Sequence, residues 1–231
     1  MGTRTLQQLR EDAWLFLDQR PDLDPATAGG LARLNLWVNR AYRHVSWPNV
    51  HPHRELKITG NIALVLGSDN YALTALTSFW AVRHIHHARA NRRLQPRALW
   101  ALLEQRQLDS AGVAVQGEPS LYAIDGSNLL LDYAANSAVA GQNLVVYYWR
   151  RIANLVNNTD VTLLADEWDQ IIPLGVAWYG WNNLNQLERA DYFRTEFAAM
   201  ASEVVPGESI EHLDEGPQID YLADPIMERS Q

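Results

Sequence analysis

The residues whose types and spacing could bind a metal ion are histidines in two short runs. His51 and His53 form the first run, and His84, His86 and His87 form the second. On a strand, His84 and His86 would lie on the same face, where both could reach one ion. Neither run has an obvious third ligand nearby, so we favour surface or interface histidines over a metal site and predict no cofactor.

A carboxylate cluster at Asp166, Glu167 and Asp169 is the second candidate for chemistry. Hydrolases use such groups as general acid and base. Acids also stabilise the first turn of a helix, and Asp166 has the residue type of an N-cap, so helix capping is the simpler interpretation. The sequence lacks the common motifs of serine hydrolases, P-loop proteins and zinc proteases, and it has no cysteine. We therefore predict a protein that is not an enzyme.

A basic segment between residues 81 and 106 contains six arginines and one acid, Glu104. With Trp80 and Trp100 nearby, it could contact nucleic acid or an acidic protein, including the acidic tail of another copy. A solvated basic face is the simplest alternative. The net charge of −8 argues against tight, sequence-specific DNA binding. The candidate interface residues for subunits or partners are Arg89, Arg92, Arg93 and Arg97.

The acidity of the chain is concentrated in its C-terminal tail. Residues 203–231 hold eight acids and one base, whereas the rest of the chain is close to neutral. The tail beyond residue 205 is predicted to be extended or disordered in the isolated chain. A tail that served only solubility would not need seven apolar residues, so we favour docking on a partner. These candidate anchors are Ile210, Leu213, Ile219, Tyr221, Leu222, Ile226 and Met227.

The strongest β-sheet signal lies between residues 117 and 151. The pair Asp125-Gly126 predicts a tight hairpin turn, because glycine readily adopts the positive φ that such a turn needs. Strands are predicted at residues 121–124, 129–132 and 143–150, of which the last is the most β-favouring run of the chain. Shorter β-like runs are predicted at residues 55–58, 62–66, 71–76 and 80–87, with Gly60 as one of the separators and a short helix following at 99–108.

Helical patterns flank this β region on both sides. Apolar spacing predicts helices at residues 5–17 and 26–45, the second of which ends before Trp47-Pro48. A further helical pattern runs through residues 167–204 after the proposed N-cap Asp166. Pro173 and Gly180 are expected to kink or interrupt it, which would give two helices.

The layout predicts an α+β fold in which a helical bundle is interrupted by an inserted β-rich domain. We assign residues 1–50 and 161–205 to the bundle, residues 51–160 to the β-rich domain and residues 206–231 to the tail. No leader and no apolar run of about 18 residues is found, so we expect a soluble, unexported protein without a membrane partner.

Four segments carry a resemblance to a known family: LNLWVNRAYRHV (34–45), GEPSLYAIDGSNLLL (117–131), LVVYYWRR (144–151) and DEWDQII (166–172). Together they resemble the head-to-tail adaptor (connector or neck) proteins of tailed bacteriophages. The resemblance implies a virion protein, assembled in the host cytoplasm, that forms a ring of twelve copies beneath the portal protein.

Several contacts follow from the same resemblance. Double-stranded DNA would pass through the channel of the ring without sequence-specific binding, and the C-terminal tail would reach into the portal. The tail, nozzle or next neck protein would dock on the opposite side, and the basic segment would serve contacts between subunits. A metal- or carboxylate-dependent hydrolase and a minor nucleic-acid-binding protein remain the alternatives.

Overall fold

The computed structural model describes residues 2–46, 53–109 and 114–204. The described residues form five α-helices and ten strands, with helices at both ends of the chain and strands in the middle. This is the α+β fold predicted from the sequence. The pair Trp47-Pro48, predicted to stop the second helix, and the chain from residue 205 onward lie outside the described residues. None of the described helices has the length and apolar character that crossing a membrane requires.

The first two helices begin at the capping residues that the sequence offers. Helix α1 (Leu6–Phe16) starts after Thr5, which forms a capping box with Gln8. Helix α2 (Ala28–Val45) starts after Thr27, whose hydroxyl accepts a hydrogen bond from the Gly30 amide. Both helices match the predicted ranges to within two residues.

The last two helices form a hairpin whose break lies further along the chain than predicted. Helix α4 (Trp168–Asn183) contains both Pro173 and Gly180, and helix α5 (Leu187–Val204) follows it. Pro173 is tolerated one turn into the helix, and Gly180 lets Leu17 and Trp37 pack against the helix backbone. The chain turns instead at Asn185, which has a φ of +56°. Two helices were correctly expected, but Pro173 and Gly180 do not divide them.

Helix α4 is the centre of the first hydrophobic core. Twelve of its 16 residues are buried. Helices α1, α2 and α5 surround it, and the aromatic rings of Trp178 and Phe197 lie 5.9 Å apart between α4 and α5. This core includes Leu6, Leu9, Leu34, Val38, Tyr42, Ile171, Val176 and Phe197.

The middle of the chain folds into two four-stranded sheets and a small third one. In the first sheet all neighbours are antiparallel, and the strand order is β1 (Lys57–Ala63), β10 (Asn143–Arg150), β3 (Phe79–His87) and β4 (Arg92–Arg93). The predicted strand at 143–150 is confirmed at both ends.

The second sheet contains the predicted hairpin. Its order is β2 (Asn70–Ala72), β8 (Asn128–Leu131), β7 (Leu121–Asp125) and β5 (Gln95–Pro96), of which β5 runs parallel to β7. Asp125 pairs with Asn128 across a tight turn in which Gly126 has a φ of +58°. The hairpin prediction is therefore confirmed. A third sheet joins β6 (Gln116–Gly117) to β9 (Ala134–Ala135).

Several details of the middle region differ from the predictions. Residues 54–56 form a 3₁₀ turn where a strand was predicted at 55–58, and the strand predicted at 62–66 ends at Ala63. Gly60 does not end a strand but lies inside β1, opposite Val146, where Leu76 packs against its backbone. Residues 73–75 form a 3₁₀ turn rather than the end of a strand. The short helix α3 (Leu99–Gln105) stops three residues early, because Leu108 forms a β-bridge with Ala114.

The strands enclose a hydrophobic core of their own between the sheets. It includes Tyr71, Leu73, Ile85, Leu94, Tyr122, Leu129, Leu131, Val146 and Tyr148. Trp149, at the end of β10, belongs instead to the helical core and joins the two regions. The separation of the two cores fits a β-rich insertion in a helical bundle, although the proposed boundaries at residues 50, 160 and 205 remain predictions.

Candidate partner-binding surfaces

The basic segment is an ordered edge of the β region rather than a loop. β4 pairs with β3 in the first sheet, and β5 pairs with β7 in the second. Leu94, between them, is fully buried, and its amide donates to the Ile85 carbonyl. The chain is thereby fixed to both sheets, and four arginine side chains remain exposed around it. We call them the arginine edge: Arg89, Arg92, Arg93 and Arg97.

Two members of the arginine edge have partners that orient them. Arg92 lies 3.2 Å from the Glu118 carboxylate and donates to the Pro119 carbonyl at 2.7 Å. Arg89 donates to the Ala138 carbonyl at 3.4 Å. Within the described part of the chain, Arg93 and Arg97 form no ion pair and no side-chain hydrogen bond. Two guanidinium groups on a rigid edge are thus available to an acidic partner.

The other two arginines of the basic segment are half-buried and pack against the fold. The Arg83 guanidinium lies 5.5 Å from the ring centre of Trp149, and Arg106 forms an ion pair with Asp69. The basic segment therefore divides into a structural pair and an exposed group. The four exposed arginines are the four that the sequence singled out, whereas their role at an interface remains a prediction.

Helix α3 adds an apolar surface beside the arginine edge. Its inner side is anchored by the fully buried Leu102, while Trp100 is 68% exposed and Leu103, one turn further, is also exposed. Arg97 immediately precedes the helix, and Leu108 follows it with its side chain in solvent. We call Arg97, Trp100, Leu103 and Leu108 the α3 surface. Tryptophan and arginine are over-represented among residues that dominate protein–protein binding.

Sequence reasoning noticed Trp100 only as an aromatic near the basic segment. The i, i+3 spacing of Trp100 and Leu103 places them on one side of the helix, and Leu99 and Leu102 lie on another. A seven-residue helix with apolar residues on two sides can bury only one of them against its own sheet. This pattern in the sequence could have predicted that one apolar side of α3 stays exposed and binds a partner.

The histidines of the second run do not converge on one position. His84 stacks on Tyr147 with ring centres 4.2 Å apart, and burial together with nearby Arg93 and Arg83 lowers the pKa of His84 to about 4. His87 lies in the interior, where its Nδ1 is 3.6 Å from Glu118, and burial lowers its pKa.

The first histidine run is represented by His53, because His51 lies outside the described residues. His53 is buried, its Nε2–H donates to the Val45 carbonyl, and its ring meets Trp168 edge-on at 4.7 Å. Burial lowers its pKa. Across the described ranges, no group of three or more His, Asp and Glu side chains is arranged to hold a metal ion.

The carboxylate cluster is not a helix cap, and its members do not act together. Glu167, rather than Asp166, precedes α4, and no side chain caps the helix there. Asp166 and Glu167 are exposed, whereas Asp169 turns inward and is buried. The capping interpretation is therefore wrong for Asp166, because the backbone carbonyl of Asp166, not its side chain, bonds to the Asp169 amide.

Asp169 holds the start of the chain against the bundle. Its Oδ2 accepts hydrogen bonds from the Thr3 and Arg4 amides at 2.7 and 2.8 Å, and its Oδ1 accepts one from the Thr162 hydroxyl at 2.8 Å. Both oxygens of this carboxylate are thus engaged by the fold. Charge-assisted bonds of this kind are stronger than neutral ones, so Asp169 serves stability.

The seven candidate anchors of the tail, from Ile210 to Met227, lie outside the described residues. Their docking role therefore remains a prediction based on the sequence.

One family model matches this chain. It is the model described as SU10 adaptor protein, and it covers residues 4–215. The matched range includes all five helices and ten strands of the described residues, together with the first part of the tail. Among curated proteins, none matches the chain.

Proposed function

The chain belongs to the SU10 adaptor protein family, a family of tailed-phage head-to-tail adaptors, and we propose that it forms a ring beneath the portal protein. Family membership makes it a virion component and favours a structural role over an enzymatic one. In the proposed arrangement, twelve copies link the DNA-filled head to the tail. The subunits are made and assembled in the host cytoplasm.

The observation that carries the ring proposal is the exposed α3 surface next to the arginine edge. Both lie on backbone that is fixed by two sheets, so a partner would meet a preorganised surface. In a ring, each subunit contacts its neighbour through two different surfaces. We assign the α3 surface and the arginine edge to one side of this contact.

The portal is the proposed partner of the C-terminal tail. The tail follows α5 directly, and its seven apolar residues are spaced among acids. Such a segment can order on a partner by inserting apolar side chains into grooves while its charges stay in water. The other face of the β region would then receive the tail, nozzle or next neck protein.

The DNA in the channel is proposed to pass without being gripped. Strong binding to DNA depends on cations that neutralise phosphates and release counterions. The chain before residue 203 is close to neutral and the tail is acidic, so neither part has the excess of cations that tight DNA binding needs, which supports sliding over binding. The arginine edge, if it faces a neighbouring subunit, would not be available to the duplex.

Truncation of the tail tests the portal assignment. Deletion of residues 206–231 should abolish capture of the purified portal while leaving the circular dichroism spectrum and unfolding midpoint unchanged, because α1–α5 and the sheets are formed by residues before 205. Portal capture that survives the deletion would contradict the assignment.

Two matched full-length variants would show whether the apolar or the acidic residues of the tail dominate its binding to the portal. In one, the seven apolar anchors are replaced by serine; in the other, the tail acids are replaced by their amides. If apolar insertion dominates, the first variant should lose portal binding and the second should retain most of it.

A further inference from the structure

A cationic cleft opens where the helices meet the end of the first sheet, away from the arginine edge. It has a volume of about 660 Å³. Helix α2 contributes Arg40 and Arg43, and the residues at and after the end of β10 contribute Arg150 and Arg151. Trp80 and Tyr179 form part of the wall. The described residues that line the cleft include four arginines and no carboxylate.

Three of the four arginines of the cleft are oriented by neutral groups, which leave their charge uncompensated. Arg43 donates to the Asn39 carbonyl at 3.1 Å, and Arg150 donates to the Glu55 carbonyl at 3.1 Å. The Arg40 guanidinium lies 4.4 Å from the ring centre of Tyr179. Within the described ranges, no carboxylate forms an ion pair with any of the four. A concave surface lined by one sign of charge concentrates the electrostatic potential.

The aromatic wall of the cleft is held in place by a hydrogen bond. The Tyr179 hydroxyl and Nδ1 of His44 share a hydrogen bond at 2.9 Å, and the His44 ring packs edge-on against Trp178 at 5.6 Å. Burial and the nearby Arg40 lower the pKa of His44. The cleft therefore offers fixed apolar surface beside its cations, which suits a ligand with both acidic and apolar side chains.

We propose that this cleft binds the acidic C-terminal segment of the same chain, residues 206–231, before the protein joins a portal. The segment has the required chemistry, because its acids complement the four arginines and its spaced apolar residues fit the wall formed by Trp80 and Tyr179. This inference goes beyond the adaptor role and can be tested in the absence of a portal.

The length of the C-terminal segment favours binding to the cleft of the same chain over binding to the cleft of another copy. Its 26 residues can extend to roughly 85 Å at about 3.3 Å per residue. A globular chain of this length has a radius of gyration of only about 17 Å. A tethered segment is present at an effective concentration in the millimolar range, far above that of other copies in a dilute solution. Occupation of the cleft would keep the apolar anchors covered until the portal competes for them.

The absence of cysteine allows a direct measurement in the full chain. A fluorophore is attached to Ser209→Cys, and its anisotropy is recorded at low ionic strength. We expect restricted motion, a fall of about twofold in anisotropy at high salt because the contact is ionic, and no dependence on protein concentration over the range in which ultracentrifugation shows a monomer. A rise in anisotropy with concentration within that range would overturn binding within one chain.

Charge reversal at two exposed arginines identifies the site. Arg43→Glu combined with Arg151→Glu should release the fluorophore as fully as high salt does. The matched control is Arg33→Glu with Arg194→Glu, which makes the same charge change at two exposed arginines outside the cleft and the arginine edge and should leave the anisotropy high. Release by the control pair but not by the cleft pair would overturn the proposal.

An exchange of charges between the tail and the cleft distinguishes loss of binding from misfolding of the variant. Glu208→Lys, Glu211→Lys and Asp214→Lys together should also release the tail. Combined with Arg43→Glu and Arg151→Glu, the reversed tail should bind again and restore most of the anisotropy. If the combination shows no recovery while the circular dichroism spectrum is native, the cleft is not the site.

Discussion

Helices α4 and α3 both lie between other elements of the chain, but they differ in how much of their surface the chain itself covers. In α4, 12 of 16 residues are buried by α1, α2 and α5. In α3, only Leu102 of seven residues is buried, and Trp100 is 68% exposed. Helix α4 is therefore covered by its own chain, whereas α3 carries apolar side chains, Trp100 and Leu103, that the described fold leaves in water.

This difference locates stability and assembly in separate parts of the molecule. Removing apolar area from water is the main favourable term in both folding and association. For α4 that term is already used within one chain. On the α3 surface it is still available, and a neighbouring subunit is the partner that we propose for it.

The largest expected effect comes from comparing two tryptophans. Trp37 is 4% exposed and packs against Gly180 of α4, so Trp37→Ala should lower the free energy of unfolding by about 4 kcal/mol. Trp100→Ala should change it by less than about 0.5 kcal/mol. Urea unfolding measures both. Similar losses for the two variants would contradict the contrast between the regions.

Asp169 provides a polar version of the same test. Asp169→Ala should cost about 3 kcal/mol, since it leaves the Thr3 and Arg4 amides without their acceptor. Asp166→Ala, three residues away and exposed, is the control and should be close to neutral. An equal effect of both substitutions on the thermal midpoint would show that the buried carboxylate has no special role.

Substitutions on the α3 surface should weaken self-association, although they hardly change stability. Trp100→Ala should weaken self-association by about thirtyfold, which corresponds to about 2 kcal/mol for a dominant interface residue. Analytical ultracentrifugation measures this, with Leu36→Ala, an exposed apolar residue on the bundle, as the control. Unchanged association of the Trp100 variant would remove the α3 surface from the interface.

The smallest effect concerns acid stability in the β region. The pKa of His84 is lowered from 6.5 to about 4, so the unfolded chain binds a proton that the folded chain does not between these values. Stability contributed by this residue is therefore complete above pH 6.5 and falls as the pH decreases towards 4. His84→Phe, which can keep the stacking on Tyr147, should reduce the loss of thermal stability over this window.

Tyr147→Phe is the matched control for this measurement, because it alters the same stacked ring pair but leaves His84 in place. It should leave the pH dependence unchanged. If both variants behave like the unaltered protein, then His84 does not contribute to acid sensitivity.

Local chemistry allowed much of the fold to be predicted from the sequence. The hairpin glycine at Gly126 and the β-branched and aromatic run at residues 143–150 each act on neighbouring residues, and both predictions were confirmed. The break between α4 and α5 was misplaced, because Pro173 is tolerated in the helix and the left-handed Asn185 gives a weaker signal than proline or glycine.

The candidate surfaces were predictable only in part, because they depend on contacts between distant residues. The sequence predicted a basic segment at residues 81–106. Which of its arginines pack against the fold depends on contacts with Trp149 and Asp69, which lie elsewhere in the chain. Asp169 was assigned to capping because its partners, Thr3 and Arg4, lie more than 160 residues earlier. Exposure of Trp100 depends on which side of α3 the second sheet covers, and that is a tertiary property.

Electron microscopy of the purified protein mixed with its portal tests the central claim most directly. The account predicts a ring of this protein stacked coaxially on the portal, with the β region of each subunit in contact with the next subunit. A mixture in which the protein stays monomeric and the portal particles carry no added density would contradict it.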